Sequence, residues 1–169
     1  MKRFMMLVGL MVLVASAAKA DGSPTIDGAI TDSCQVTVVR GTNVAKLAQE
    51  AGFVYYDSTS LDLRSYPIPT RTYSCMVYMA EVDCYGQDQR KVLGLFTNSG
   101  YRPATMAEVL AVGQKWGKKN LPYTWVLDPT LTNSGSSCSG LVCHCGGRHL
   151  WRLPEGEASR YTTIAIVRR

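Results

Sequence analysis

Gly100-Tyr101-Arg102-Pro103-Ala104-Thr105-Met106-Ala107-Glu108-Val109-Leu110-Ala111-Val112-Gly113 is the stretch on which the reading of the fold turns. Thr105 and Glu108 stand three apart ahead of an apolar run, the spacing of a capping box. The threonine hydroxyl accepts from the Glu108 backbone N–H, and the glutamate carboxylate accepts from the threonine N–H. Behind the cap, Met106, Val109, Leu110, Gly113 and Trp116 recur at helical spacing and form one apolar face. Gly117 stops the pattern, so the spacing predicts a helix over Met106–Trp116. Arg102 and Pro103 set the angle at which the chain enters it. Glu108 is thereby accounted for as a cap, and only its charge argues for catalysis.

Working outward, Gln35 to Arg40 alternates Val36 and Val38 as a strand does, and Asn43 is placed to cap a short helix over Val44–Ala51, with Gly52 just past its end. Phe53 to Tyr56 is a short apolar segment, and Asp57 to Pro69 is loop-like. Tyr73 to Asp83 is rich in β-formers. Gly86 to Gln89 reads as a turn, and Val92 to Phe96 as either a strand or a helical turn. Beyond the long helix, Tyr123 to Leu127 and Leu150 to Leu153 read as strands on either side of a Thr/Asn/Ser/Gly-rich loop over Asp128–Gly140. Tyr161 to Arg168 is a final strand, with Ile164 and Ile166 on one face and Thr163, Ala165 and Val167 on the other. Strands gathered around two helices without strict alternation predict an α+β domain with a mixed or antiparallel sheet.

The amino terminus has a different character. Lys2 and Arg3 precede an apolar run from Phe4 to Val14, and Ala18-Lys19-Ala20 fits a cleavage site before Asp21. Residues 1–20 are expected to be a signal peptide, 21–33 a flexible lead-in, and 34–169 a single domain. The run of about eleven residues falls short of the roughly 20 that a membrane-spanning helix needs. Cleavage would remove three basic residues and no acid, lowering the formal charge from +5 to +2. That small, dispersed surplus argues against nucleic acid as a partner. The expected location is secreted or periplasmic, not membrane-embedded.

All six cysteines, Cys34, Cys75, Cys84, Cys138, Cys143 and Cys145, lie beyond the cleavage site. In an exported protein an even set is expected to form disulfides, three here. Cys75 and Cys84 would sit about 30 Å apart along one strand, too far to bridge. The expected pattern therefore joins Cys34 to Cys75 or Cys84, with Cys84 favoured, and the remaining one to the Cys138–Cys145 cluster, which holds one bridge of its own. That cluster, with His144 and His149, has two competing readings. A Cys3His metal site lacks the paired spacing of familiar zinc motifs, and a thiol active site lacks a CxxC motif. No metal and no cofactor is expected.

The Gly100–Gly113 motif resembles a GxRPATxxExLAxG signature of small bacterial exported proteins. It is also similar to the WRLPTxxEL element of bacterial C-type-lectin-like domains. In those domains an aromatic strand, like Tyr123-Thr124-Trp125 here, follows the motif, and a VR-type strand closes the chain. The resemblance implies a C-type-lectin-like α+β fold, with first and last strands paired and a long loop presenting a surface. The loop triplets and the Trp-Asn-Asp strand of calcium-dependent sugar binders are absent. Residues Pro129 to Gly147 carry no carboxylate, so a calcium site is not implied there.

Two functional classes remain. The first is an exported, non-enzymatic binding or structural domain for a protein or glycan at the cell envelope, using Trp125, His144, Arg148, His149 and Trp151. Tyrosine and tryptophan, with a flat apolar face and a polar edge, suit such surfaces. The second is an exported cysteine-dependent enzyme or thiol redox protein, using the Cys138–Cys145 cluster with His144 or His149. No nucleophile elbow, HExxH or phosphate-cradling loop accompanies those histidines. No catalytic residue is assigned.

Overall fold

A computed structural model describes residues 29–55, 63–82, 89–116, 124–127, 138–144, 147–153 and 162–169. Among these residues, eight strands and three α-helices follow in the order β1 (Ile30–Val38), α1 (Val44–Glu50), β2 (Phe53–Tyr55), β3 (Tyr73–Val82), α2 (Gln89–Asn98), β4 (Tyr101–Pro103), α3 (Met106–Trp116), β5 (Thr124–Val126), β6 (Cys138–His144), β7 (Gly147–Leu153) and β8 (Thr162–Arg168). The class is α+β, as the sequence predicts. The sheet is mixed, in the order β1-β3-β8-β5-β6-β7-β2. β5 runs parallel to β8 and β2 parallel to β7, while the other pairs are antiparallel. One edge of β8 is shared. β4 takes its carboxy-terminal end at Ile166–Arg168, and β5 takes Thr163 and Ile164.

The alternation read in the last strand divides the core. Ala165 and Val167 join Val36, Val38, Val77, Met79 and the apolar residues of α1 and α3 on one face. Ile164 and Ile166 join Ala80, Val82 and Leu127 beneath Val92 and Phe96 of α2 on the other. α3 lies between α1 and the sheet. Residues Met106 to Gly113 are consequently buried all round rather than along the single stripe expected from spacing. Asn43 caps α1 as expected, its Oδ1 accepting from Lys46 N at 3.2 Å. Gly52, just beyond that helix, has φ +76°, a conformation that a side chain would strain. At the sheet edge, the Lys115 ammonium of α3 donates to the Gln35 carbonyl of β1 at 2.7 Å and so blunts an otherwise open strand. Among the described residues, no helix is long and apolar enough to cross a membrane.

Several expectations are corrected. β1 begins at Ile30, inside the stretch read as a lead-in. A third helix, α2, takes the helical alternative at Val92–Phe96 and extends it to Gln89–Asn98, starting at the last residue of the expected turn, whose other residues fall outside the described ones. Its first turn contains Gln89, Arg90 and Lys91, whose polarity concealed the start, while Val92 and Phe96 supply the buried side at i, i+4. Two of the clustered cysteines, Cys138 and Cys143, lie on a strand rather than in a loop, in the β6–β7 hairpin paired from Cys138↔Leu153 to His144↔Gly147. Finally, the first and last strands are not neighbours. β3 lies between β1 and β8, contrary to the pairing that the lectin-like resemblance implies.

The disulfide expectation also changes. No disulfide is present among the described residues, and Cys34 and Cys75 carry thiols. Their positions explain this. Cys34 pairs with Val77 in mid-strand, not with the end of β3 near Cys84, because β1 starts earlier than the valine alternation suggests. Three sheet steps separate β3 from β6, about 14 Å at normal strand spacing, so Cys75 cannot reach the cysteines of β6. Cys138 and Cys143 lie five residues apart on that single strand, about 16 Å, and cannot bridge each other. Cys84 and Cys145 fall outside the described residues.

Candidate functional site

Two places gather chemistry-bearing residues. The first follows from the capping box. Thr105 N donates to Glu108 Oε2 at 2.8 Å, and Glu108 N donates to Thr105 Oγ1 at 3.3 Å, both bonds of the predicted motif. The Glu108 side chain is fully buried, a costly place for a carboxylate unless it is paired. Arg102, reaching in from β4, forms the fork. Its Nη1 donates to Oε2 at 2.9 Å and its Nη2 to Oε1 at 2.6 Å. From β3, the Tyr73 hydroxyl donates to Oε1 at 3.0 Å, and the Cys75 thiol approaches the same oxygen at 3.6 Å.

Five donors thus converge on one carboxylate, which offers about four lone-pair positions. Burial alone would push the Glu108 carboxyl upward. The Arg102 fork and the Thr105 N–H outweigh it and hold the group below its ordinary value. Its hydrogen bond to Glu108 likewise raises the Arg102 guanidinium, against the opposing effect of burial. Burial, then the neighbouring Glu108 charge, pushes both Tyr73 and Cys75 up to about 12. Every group is held in its resting protonation state. A carboxylate with no unoccupied lone pair cannot take a substrate proton, and a thiol so far above neutrality is no nucleophile. The cluster ties β3, β4 and α3 together. Sequence spacing reveals that Tyr73 and Cys75 share a face, but not that this face meets Glu108.

The low thiolate content of Cys75 is directly measurable. At pH 8, roughly one Cys75 in ten thousand would be ionised, against about one in ten for a thiol of ordinary pKa. Alkylation of native protein by iodoacetamide at pH 8 should leave Cys75 unmodified over hours, while unfolded chain is labelled within minutes. Rapid native labelling at Cys75 would contradict the geometry.

The second place is the β5–β6–β7 part of the sheet, where all five expected binding residues lie. Trp125 of β5 pairs with Gly140 of β6, and Gly140 pairs with Trp151 of β7, so the three form one row across three strands. His149 precedes Trp151 by two residues and pairs with Val142, two positions from Gly140. His144 is two further along β6. By strand register and parity, positions 125, 151, 149 and 144 fall on one face of the sheet. Trp125 also pairs with Ile164, placing this face on the α2 side. Arg148 pairs with Cys143 and with buried Phe53, and belongs to the opposite, α1–α3 face. The expected group of five is therefore four and one. The same alternation places Cys138 with both histidines and Cys143 on the other face, while Cys145 falls outside the described residues. Comparison of the chain with family models, with curated proteins and with solved structures returns no match.

Proposed function

We propose that the protein is an exported, non-enzymatic binding domain that engages a cell-envelope glycan through the β5–β7 face. The observation that carries this reading is the row Trp125–Gly140–Trp151. Two tryptophan positions lie two strand spacings apart, about 10 Å, with a residue lacking a side chain between them. Tryptophan contributes a broad apolar surface with one N–H donor, suited to the C–H face of a sugar ring. Histidines at 144 and 149 bring ring nitrogens able to hydrogen-bond to sugar hydroxyls. Export rests on the signal-like residues 1–20, and protein recovered outside the cytoplasm should begin at Asp21. The proposal does not draw on the lectin-like resemblance, whose paired terminal strands are here separated by β3.

Binding to soluble β-1,4-linked N-acetylhexosamine oligosaccharides tests it, measured by calorimetry on the intact protein. Trp151→Ala should weaken binding by about 2 kcal/mol, the loss typical of a central aromatic anchor. Gly140→Leu, which adds bulk at the centre of the row while keeping both tryptophans, should weaken it as much. Binding unaffected by either substitution would refute the glycan reading of this face.

A further inference from the structure

A cleft of about 270 Å³ opens on the opposite side of the domain from that row, between the segment after the Leu63–Ser65 helical turn, the start of α1 and the entry to α3. Tyr66, Ile68, Pro69, Arg71, Tyr73 and Thr105 line it. Its outer wall is built in advance. Pro67 and Pro69 fix their own backbone angles, the Pro69 carbonyl accepts from Gly41 N at 2.8 Å, and the Thr72 hydroxyl accepts from Arg40 N at 2.9 Å. Despite that rigidity, Ile68 stands 57 % exposed at the mouth.

The polar groups on the floor are already engaged. The Tyr73 hydroxyl donates to Glu108, and the Thr105 hydroxyl accepts from Glu108 N. Among the described residues, Arg71 is the one charged residue lining the cleft, and no ion pair involves it. Recognition in such a space needs an apolar body against Tyr66, Ile68 and Pro69 and one anionic group opposite the guanidinium. The size narrows the class further. A cavity of about 150 Å³ takes benzene, and drug-sized ligands use about 300–1,000 Å³. We propose that this cleft binds a small carboxylate with a single aromatic or branched apolar body, as a free acid or as the carboxy-terminal residue of a peptide.

Titration of ¹⁵N-labelled protein with phenylacetate, with phenylacetamide, and with glycyl-phenylalanine tests it. Phenylacetate is expected to shift the amides of Tyr66–Tyr73 and Thr105–Ala107 with a Kd on the order of 1 mM. Phenylacetamide should bind at least about tenfold more weakly, because the charge-assisted bond is lost. Arg71→Gln, at an exposed position, should reproduce that loss for phenylacetate with the remaining spectrum unchanged. Tighter binding of the dipeptide would assign the source as a peptide terminus, and tighter binding of phenylacetate a free acid. Equal affinity for acid and amide, an unchanged Kd in Arg71→Gln, or no shifts in the cleft would overturn the proposal.

Discussion

Replacing Arg102 by methionine is expected to destabilise the protein by about 3–5 kcal/mol, the loss seen when one partner of a buried ion pair is removed. The basis is geometric. Glu108 is fully buried, and Arg102 supplies both arms of its fork at 2.6 and 2.9 Å. Without the guanidinium, burial dominates and Glu108 becomes a carboxyl that resists ionisation. The melting temperature should fall on the order of 10 °C. In addition, the response to acid should change sign. In the native protein the Glu108 carboxyl lies below its ordinary value of 4.5, so its contribution is present above that pH and is lost as pH falls through the lower folded value. In Arg102→Met the folded carboxyl lies above the unfolded one, so stability rises as pH falls from 7 toward 5. The pair Arg102→Met with Glu108→Leu should recover part of the loss, since a matched apolar pair carries no stranded charge. Chemical denaturation across pH 4–7 measures all three. A single variant within about 0.5 kcal/mol of the parent would show that the fork is not what holds β4 to α3.

Phe96→Ala is expected to cost about 3–5 kcal/mol, as for other buried phenylalanines cut to alanine. Phe96 has no exposed surface and sits with Val92 of α2 over Ala80, Val82, Ile164, Ile166 and Leu127. This helix covers the second face of the sheet, and Phe96 is its largest buried side chain. Tyr101, which follows α2 by way of Gly100 at φ +78°, meets Tyr78 edge-on with ring centroids 5.9 Å apart and adds a second attachment. Loss of Phe96 should therefore loosen α2 without disturbing the Glu108 cluster on the other face. Hydrogen exchange should accelerate at the α2 amides more than at those of α3. A cost below about 1 kcal/mol would mean that α2 does not pack as described.

These two sites differ in how far the sequence exposes them. The boundaries of α3 and both bonds of its cap are legible in Thr105, Glu108 and the apolar positions behind them, because a capping box is purely local. The two faces of β8 are legible for the same reason. Helix α2 is not. Its apolar positions are too few to separate a helical turn from a strand, and its burial depends on a surface assembled from β3, β8 and Leu127 just past β5. The cysteines show the same limit more sharply. Count and compartment favour bridges, but whether two sulfurs meet is decided by register, which sets Cys34 opposite Val77 and puts Cys75 three strands from β6. Register also divides the expected binding group, since Arg148 differs from His149 and Trp151 only in parity along β7. Tyr73 and Cys75 as partners of Glu108 could not be found from spacing, because the contact joins residues more than thirty positions apart.

The claim that function resides on the α2-side face of β5–β7 is tested most directly by mapping oligosaccharide-induced amide shifts over the whole domain at saturating N-acetylhexosamine tetramer. The account predicts shifts centred on Trp125, Gly140, Trp151 and His149, with the Glu108 cluster silent. Shifts centred on Arg102, Tyr73 and Glu108, or a spectrum unchanged at saturation, would contradict it.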